Sequence, residues 1–239
     1  MSFARPHHRQ VARVLQSLDA SLLRECGCWF GGGTAIALRF GEFRESLDID
    51  FVVSDANGFR ELRRLLRGGR DLAGLTQPGM APLPTTRELR ADQYGIRGFV
   101  DAGGTPIKFE IVSEGRVTLD PPRRGDAVCG VATLGITDLA TTKLLANVDR
   151  WRDDSVFARD AIDLAFMPLP PRDLAPALDK AGEAYGKDDV RRALSQALQS
   201  LRERKGWMQR CMQALSIREP PAALVQRLRL LERRLVAAI

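Results

Sequence analysis

Histidine is almost missing from this chain: His7 and His8 are the only two in 239 residues. Both fall in MSFARPHHRQ, which reads as a flexible N-terminal tail. That composition argues against a histidine-ligated metal and against a Ser-His-Asp triad. Cysteine is nearly as sparse. Cys26, Cys28, Cys129 and Cys211 supply one C-x-C pair and two isolated residues, not the paired C-x-x-C sets of a zinc site. They read as reduced, mostly buried thiols. No apolar run approaches the ~18–20 residues of a membrane span, and the N-terminus lacks the apolar stretch of a secretory signal. The expectation is a cytoplasmic protein with no membrane attachment. Its chemistry must come from carboxylates, lysines, arginines and backbone amides.

What is present is ordinary for a folded protein: 44% apolar and 28% charged residues, in a chain long enough for one large domain or two small ones. The net charge of +6 is unevenly spread. Residues 187–239 hold 12 Lys/Arg against 5 Asp/Glu, a balance of +7, which leaves −1 for the rest. A basic final third suits a polyanion such as nucleic acid, and equally suits arginine-rich helix faces turned to solvent.

Apolar spacing predicts a helix over 9–26, a short strand at Cys28-Trp29-Phe30 ended by Gly31-Gly32-Gly33, and a helix starting at Thr34. A strand follows over 47–53, a helix over 59–67, and two strands at 95–101 and 106–113 joined through Ala102-Gly103-Gly104. Helices are expected over 136–151, 156–167, 174–180, 189–203 and 221–236, with the proline-rich MPLPPRDLAP barred from being one continuous helix. The domain organisation is an α/β core over 1–135 and a helical domain over 136–239. Trp29, Phe30 and Trp151 are expected in the core.

LDIDFVV is the unusual strand. Alternation puts Asp48 and Asp50 on one face and Leu47, Ile49 and Phe51 on the other. Two neighbouring carboxylates repel and resist burial unless something neutralises them. A divalent cation would do so, and Mg²⁺ commonly combines one or two protein carboxylates with substrate phosphates. A solvent-facing edge strand would also accommodate them. The glycines ahead of Thr34 let backbone amides approach an anion where a helix N-terminus favours negative charge. Neither the G-x-x-x-x-G-K-[ST] loop nor the complete G-x-G-x-x-G fingerprint occurs. Glu110, in IKFEIV, is a third acidic strand residue, with pairing to Lys108 or Arg97 as its structural alternative.

Gly32-Gly33 followed by Arg44-Glu45-Ser46-Leu47-Asp48-Ile49-Asp50 resembles the first motif of the DNA polymerase β-like nucleotidyltransferase superfamily. Within it, the closest likeness is to the AbiEii/MenT nucleotidyltransferase toxins. Lys143 in TTKLLANVDRW, and Arg159, Asp160 and Asp163 in ARDAIDLAF, resemble the family's later lysine and R-D-x-x-D-L motifs. The likeness covers roughly residues 29–166.

That resemblance implies an α+β fold, a mixed-sheet nucleotidyltransferase core followed by a helical C-terminal region. It implies an Mg²⁺-dependent transfer of a nucleoside monophosphate from an NTP to a hydroxyl, with release of pyrophosphate. The protein would be the toxin of a toxin–antitoxin pair, with a cognate antitoxin as partner and an RNA acceptor, the tRNA 3′ end foremost. Asp48 and Asp50 would hold the metal, and Glu110 would join them as a further ligand or as the base. Gly32, Gly33, Thr34, Arg44, Ser46 and Lys143 would bind the nucleotide, Ser46 being alternatively a modification target. Lys143, in an otherwise apolar helical stretch, needs an anionic partner, which the triphosphate or Asp163 would supply, and either Asp160 or Asp163 would fill the family's later aspartate position. Arg150 and Arg159 are candidates for phosphate contact. A small-molecule nucleotidyltransferase of the antibiotic-modifying kind, and a nucleotide-binding module without turnover, are the alternatives.

Overall fold

A computed structural model describes residues 3–238. The chain divides into two compact units, Met1–Glu42 with Ser46–Gly135, and Phe43–Glu45 with Ile136–Ile239. The elements of the first are α1 (Pro6–Ser17), α2 (Ala20–Glu25), β1 (Cys28–Gly31), α3 (Gly32–Arg39), β2 (Ile49–Val53), α4 (Ala56–Leu66), β3 (Arg90–Ala91), β4 (Gly95–Val100), β5 (Ile107–Ser113), β6 (Ala127–Val128) and β7 (Val131–Ala132). The second contains α5 (Ile136–Arg150), α6 (Arg159–Phe166), α7 (Pro171–Tyr185), α8 (Lys187–Glu203), α9 (Trp207–Ala214) and α10 (Pro221–Ala237).

The main sheet of the first unit runs β1-β2-β5-β4-β3. β2 and β5 are parallel, and the other neighbours are antiparallel, so the sheet is mixed. Its two faces follow from strand alternation. Ile49, Phe51 and Val53 of β2, and Ile107, Phe109 and Ile111 of β5, are fully buried on one face. The rings of Phe30, Phe51 and Phe109 form a continuous row there, with successive centroids 5.6 and 5.7 Å apart. The opposite face carries Asp50, Glu110 and Arg97.

The single helix expected over 9–26 is two. Asp19 accepts hydrogen bonds from the Ser21 and Leu22 amides, both at 3.0 Å, and so caps a new helix. Leu18 ahead of it is extended and bridges to Thr76. The N-terminal segment is not a tail either. His8 lies in α1, fully buried. His8, Val11, Ala12 and Leu15 share one helical face, so its burial follows from the same spacing that buries the aliphatic residues. Leu47 also departs from the alternation: β2 begins only at Ile49, and Leu47 is exposed.

In the second unit, leucines of α5, α7, α8 and α10 build the core, among them Leu144, Leu178, Leu194 and Leu228, all fully buried. Phe43 joins it by stacking on Phe166 at 4.0 Å, with the Arg227 guanidinium 4.4 Å from the Phe166 ring centre. α7 starts at Pro171, where a missing N–H costs nothing, while Met167–Pro170 stays out of helix. The helix expected over 156–167 begins later, because Phe157 and Ala158 adopt left-handed backbone and place the start of α6 at Arg159. α9 and the short strands β3, β6 and β7 lie outside the sequence expectations. Trp29 and Phe30 are in the core, but Trp151 is only half-buried, with the Arg152 guanidinium 4.4 Å from its ring centre.

Replacing His8 with Ala should destabilise the first unit by about 2–4 kcal/mol, by leaving a void and stripping partners from Glu42 and the Ser46 amide. The check is the chemical-denaturation midpoint, and an unchanged midpoint would show that α1 contributes little.

Candidate functional site

In the first unit the site is a row of side chains running across the sheet. Register places Gly31 beside Asp50, Asp50 beside Glu110, Glu110 beside Arg97, and Arg97 beside Arg90. Parallel pairing of β2 with β5 therefore sets two carboxylates side by side. Gly32 supplies the end of the row. Its φ is +65°, which disfavours any side chain, and a Cβ there would fall 2.5 Å from Asp50 Oδ2 and 2.9 Å from Asp50 Cβ. The Asp50 side chain thus packs directly against the glycine that opens α3, whose first amides have no intrahelical partner.

Glu110 is gripped by two cations. Its Oε1 accepts from Arg97 Nε at 2.5 Å and its Oε2 from Lys108 Nζ at 2.6 Å. Burial would raise the Glu110 pKa, but the Lys108 and Arg97 hydrogen bonds outweigh it and hold the carboxyl below its ordinary value. A carboxylate so held is a weaker proton acceptor. Burial conversely lowers the Lys108 pKa, yet Glu110, then Asp50 and Asp48, raise it overall. Lys108 thus sits in the field of the whole acidic group.

The segment leading into β2 is braced from beneath. Thr34 Oγ1 lies 2.8 Å from Ser46 Oγ and also donates to the Asp48 carbonyl. Thr34 is fully buried and Ser46 nearly so. The Ser46 amide donates to His8 Nε2 at 3.2 Å, and His8 Nδ1 lies 2.8 Å from Glu42 Oε1. A neutral ring with its proton on Nδ1 satisfies both contacts. The Ala4 and Arg5 amides donate to the same Glu42 carboxylate, at 2.7 and 3.2 Å. Sequence reasoning missed His8, although its i, i+3, i+4, i+7 relation to Val11, Ala12 and Leu15 was there to be read.

The second unit gathers Arg44, Lys143, Asp160 and Asp163, with Arg150 beside them. Arg44 makes a two-pronged contact to Asp163, Nε to Oδ1 at 2.6 Å and Nη2 to Oδ2 at 2.9 Å. Lys143 Nζ lies 2.9 Å from Asp160 Oδ1 and 2.7 Å from Asp163 Oδ2. Arg150 contacts both Asp160 oxygens, at 2.7 and 2.9 Å. Asp160 and Asp163 share a helix face, which is why one lysine reaches both. Arg44, Lys143, Asp160 and Asp163 are all buried. Arg44, Lys143 and Arg150 thus meet the two carboxylates of α6, with Asp149 also acting on Arg150. Arg159 is half-buried at the start of α6.

Among the described residues no group of three or more His, Cys, Asp or Glu side chains is gathered as a metal cage. The donor set is nevertheless suitable for Mg²⁺, which usually takes one or two carboxylates, keeps several waters and completes its shell with substrate phosphates. Asp48 and Asp50 are half-buried hard-oxygen donors, and Asp50 packs against Gly32 at the start of a helix whose first amides could receive those phosphates. The oxygens of Glu110 are already committed to Arg97 and Lys108.

Burial alone would raise the Asp160 pKa, but attraction to Lys143 and the Arg150 hydrogen bond hold it far below the ordinary carboxylate value. A depressed folded-state pKa stabilises above the unfolded value and loses that contribution as pH falls. The second unit should therefore weaken progressively below about pH 4. Asp160→Asn should cost about 3–5 kcal/mol at neutral pH by leaving buried cations underpaired, and should flatten this acid limb. Thermal melts from pH 2 to 7 would test both; parallel acid limbs in variant and wild type would refute the assignment.

Comparison with known proteins assigns the chain to a family. The family model for the nucleotidyl transferase AbiEii toxin of type IV toxin–antitoxin systems matches residues 13–228. No curated protein matches the chain. JHP933 from Helicobacter pylori is similar in structure at 16% identity and a TM-score of 0.54, over 99% of this chain and 96% of its own. A candidate nucleotidyltransferase from H. pylori is similar at 16% identity and a TM-score of 0.53, over 100% and 99%. MenT4, a nucleotidyltransferase toxin from Mycobacterium tuberculosis, has 16% identity and a TM-score of 0.48, over 97% and 86%. At that identity the two Helicobacter structures speak for the fold. The family match spans nine-tenths of the chain, and with it the protein belongs to the AbiEii family of toxin-type nucleotidyltransferases.

Proposed function

We propose that this nucleotidyltransferase uses Mg²⁺ and an NTP to place a nucleoside monophosphate on a hydroxyl of RNA, with the 3′ end of tRNA as the acceptor. The observation that carries the reading is the packing of Asp50 against Gly32, in register with Glu110. A carboxylate suited to a metal beside amides that lack a partner within their own helix supports binding of a triphosphate. Asp48 and Asp50 are assigned as the metal ligands. The bound ion would supply charge neutralisation for the departing pyrophosphate.

The chain's own residues account for the rest. The amides of Gly32, Gly33 and Thr34 receive phosphate oxygens, and Thr34 and Ser46 keep Asp48 in place through their buried hydroxyls. Glu110 orients Lys108 and Arg97, and remains available to a second ion only by giving up one of them. In the second unit, Lys143 and Arg44 are assigned to phosphate, with Asp160 and Asp163 fixing their orientation. The 12 Lys/Arg against 5 Asp/Glu of residues 187–239 support an RNA backbone contact. A cognate antitoxin is the expected protein partner. No helix among the described residues is long and apolar enough to cross a membrane.

The direct test incubates the protein with each radiolabelled NTP, Mg²⁺ and total RNA. Label should move to tRNA, and Asp48→Ala should reduce transfer by at least about 100-fold with an unchanged circular dichroism spectrum. Transfer that survives in the Asp48 variant would refute the metal assignment, and label appearing only on an added aminoglycoside would refute the acceptor. Gly32→Ala should displace Asp50 and weaken Mg²⁺-dependent NTP binding in a calorimetric titration. Unaltered binding there would remove the glycine from the site.

A further inference from the structure

Phe99 has no evident task in the fold. It is the only aromatic residue of β4 and is 50% exposed. An isolated exposed apolar side chain is commonplace, but the surroundings of this one are not. Arg97 and Glu110 are register partners whose side chains bond to each other, so Arg97 points to the sheet face that carries Glu110. Phe99 lies two residues further along β4 and projects to that same face. Ile96 and Val100, of opposite parity, are fully buried on the other side.

The register partner of Phe99 is Lys108, whose ammonium is bonded to Glu110. Ile49 pairs with Phe109, and Asp48, just ahead of β2, is near enough to Lys108 to act on its charge. Within the sheet, Asp50, Glu110 and Arg97 follow one another across two strand spacings, about 10 Å, and Phe99 lies two residues beyond Arg97 on β4. Half exposed and beside charged side chains, the ring lies outside the core. What it offers is a flat face to a planar partner. A nucleotide has matching parts: phosphates at one end, a base at the other, and a ribose between them.

We infer that Phe99 is a stacking platform for a nucleobase, held on the same sheet face as the Asp48–Asp50 carboxylates and a fixed distance from them. The inference rests on the nucleotidyltransferase reading of that face and adds the part of the substrate that the carboxylates do not touch. Stacking is tolerant of base identity because every base has a π-face. The base could belong to the incoming triphosphate or to the terminal nucleotide of the RNA acceptor.

Calorimetric titrations of the full chain with Mg²⁺ separate these sources. The probes are each NTP, inorganic triphosphate, which has no base, and a short single-stranded RNA ending in a free 3′ hydroxyl. For Phe99→Ala, NTP affinity should fall about tenfold while inorganic triphosphate binds as in the wild type, and Phe99→Trp should restore the loss. A loss confined to the RNA oligonucleotide supports the platform and assigns it to the acceptor. Equal binding of NTP and RNA by wild type and Phe99→Ala overturns it, and leaves the ring as a contact for a protein partner. Wild-type binding of neither inorganic triphosphate nor any NTP would instead refute the function proposed above, a pattern distinct from loss of the stacking effect alone. Equal losses for NTP and inorganic triphosphate would mean that the substitution disturbs the sheet, and would also overturn the platform.

Discussion

The alignment of β2 between its two neighbours is the constraint from which the rest of the first unit follows. Side chains alternate along a strand, so a slip of one residue would turn Asp50 into the core and Ile49 out of it. The row of Phe30, Phe51 and Phe109 makes that slip prohibitive, because each ring packs on the next across a strand boundary. The apolar face therefore locks the polar one. Asp50 meets Gly32 on one side and Glu110 on the other because three tilted phenylalanine rings pack in a row on the reverse face.

Charge is treated differently in the two units. On the sheet face it stays partly hydrated: Arg97 and Lys108 are each about two-fifths exposed while they hold the more buried Glu110. In the helical unit it is sealed in, with Asp163 and Arg44 nearly or fully out of solvent. Desolvating Arg44, Lys143, Asp160 and Asp163 is costly, and a hydrophobic cluster of like volume would often be as stable or more so. Surface pairs such as Arg64 with Glu61 serve solubility and contribute little to stability.

Much of this was legible in the amino-acid order, and for identifiable reasons. The β2 and β5 strands announce themselves through period-two alternation, and Asp48, Asp50 and Glu110 are noticeable because carboxylates interrupt an apolar pattern. The family motifs singled out Lys143, Asp160 and Asp163, where sequence pattern alone reads Asp160 nearly as well as a helix-surface charge. The parts that could not be read are those set by contacts distant in sequence. The Glu110 clamp depends on β4 lying next to β5, and Arg44 reaches Asp163 across 119 positions. His8 looked like tail because a Pro-His-His-Arg run is polar, whereas Glu42 and the Ser46 amide give its ring two partners in a buried place. The break between Phe157 and Arg159 rests on left-handed backbone at two residues with no special propensity for it.

Phe43–Glu45 has a consequence for how the protein could be dissected. These three residues precede Ile136 by more than ninety positions, yet they supply the helical unit with the stacking partner of Phe166, the guanidinium opposite Asp163, and an amide that donates to the Leu215 carbonyl at 3.0 Å. A C-terminal fragment cut at the obvious boundary would begin life with a hole beside one aromatic ring and half the neutralisation of a sequestered acid. The helical part is therefore not a transplantable cassette. Gene fusions, split versions or chimeras that join this chain to a relative must carry the tripeptide along with the helices, or provide it in trans as a peptide.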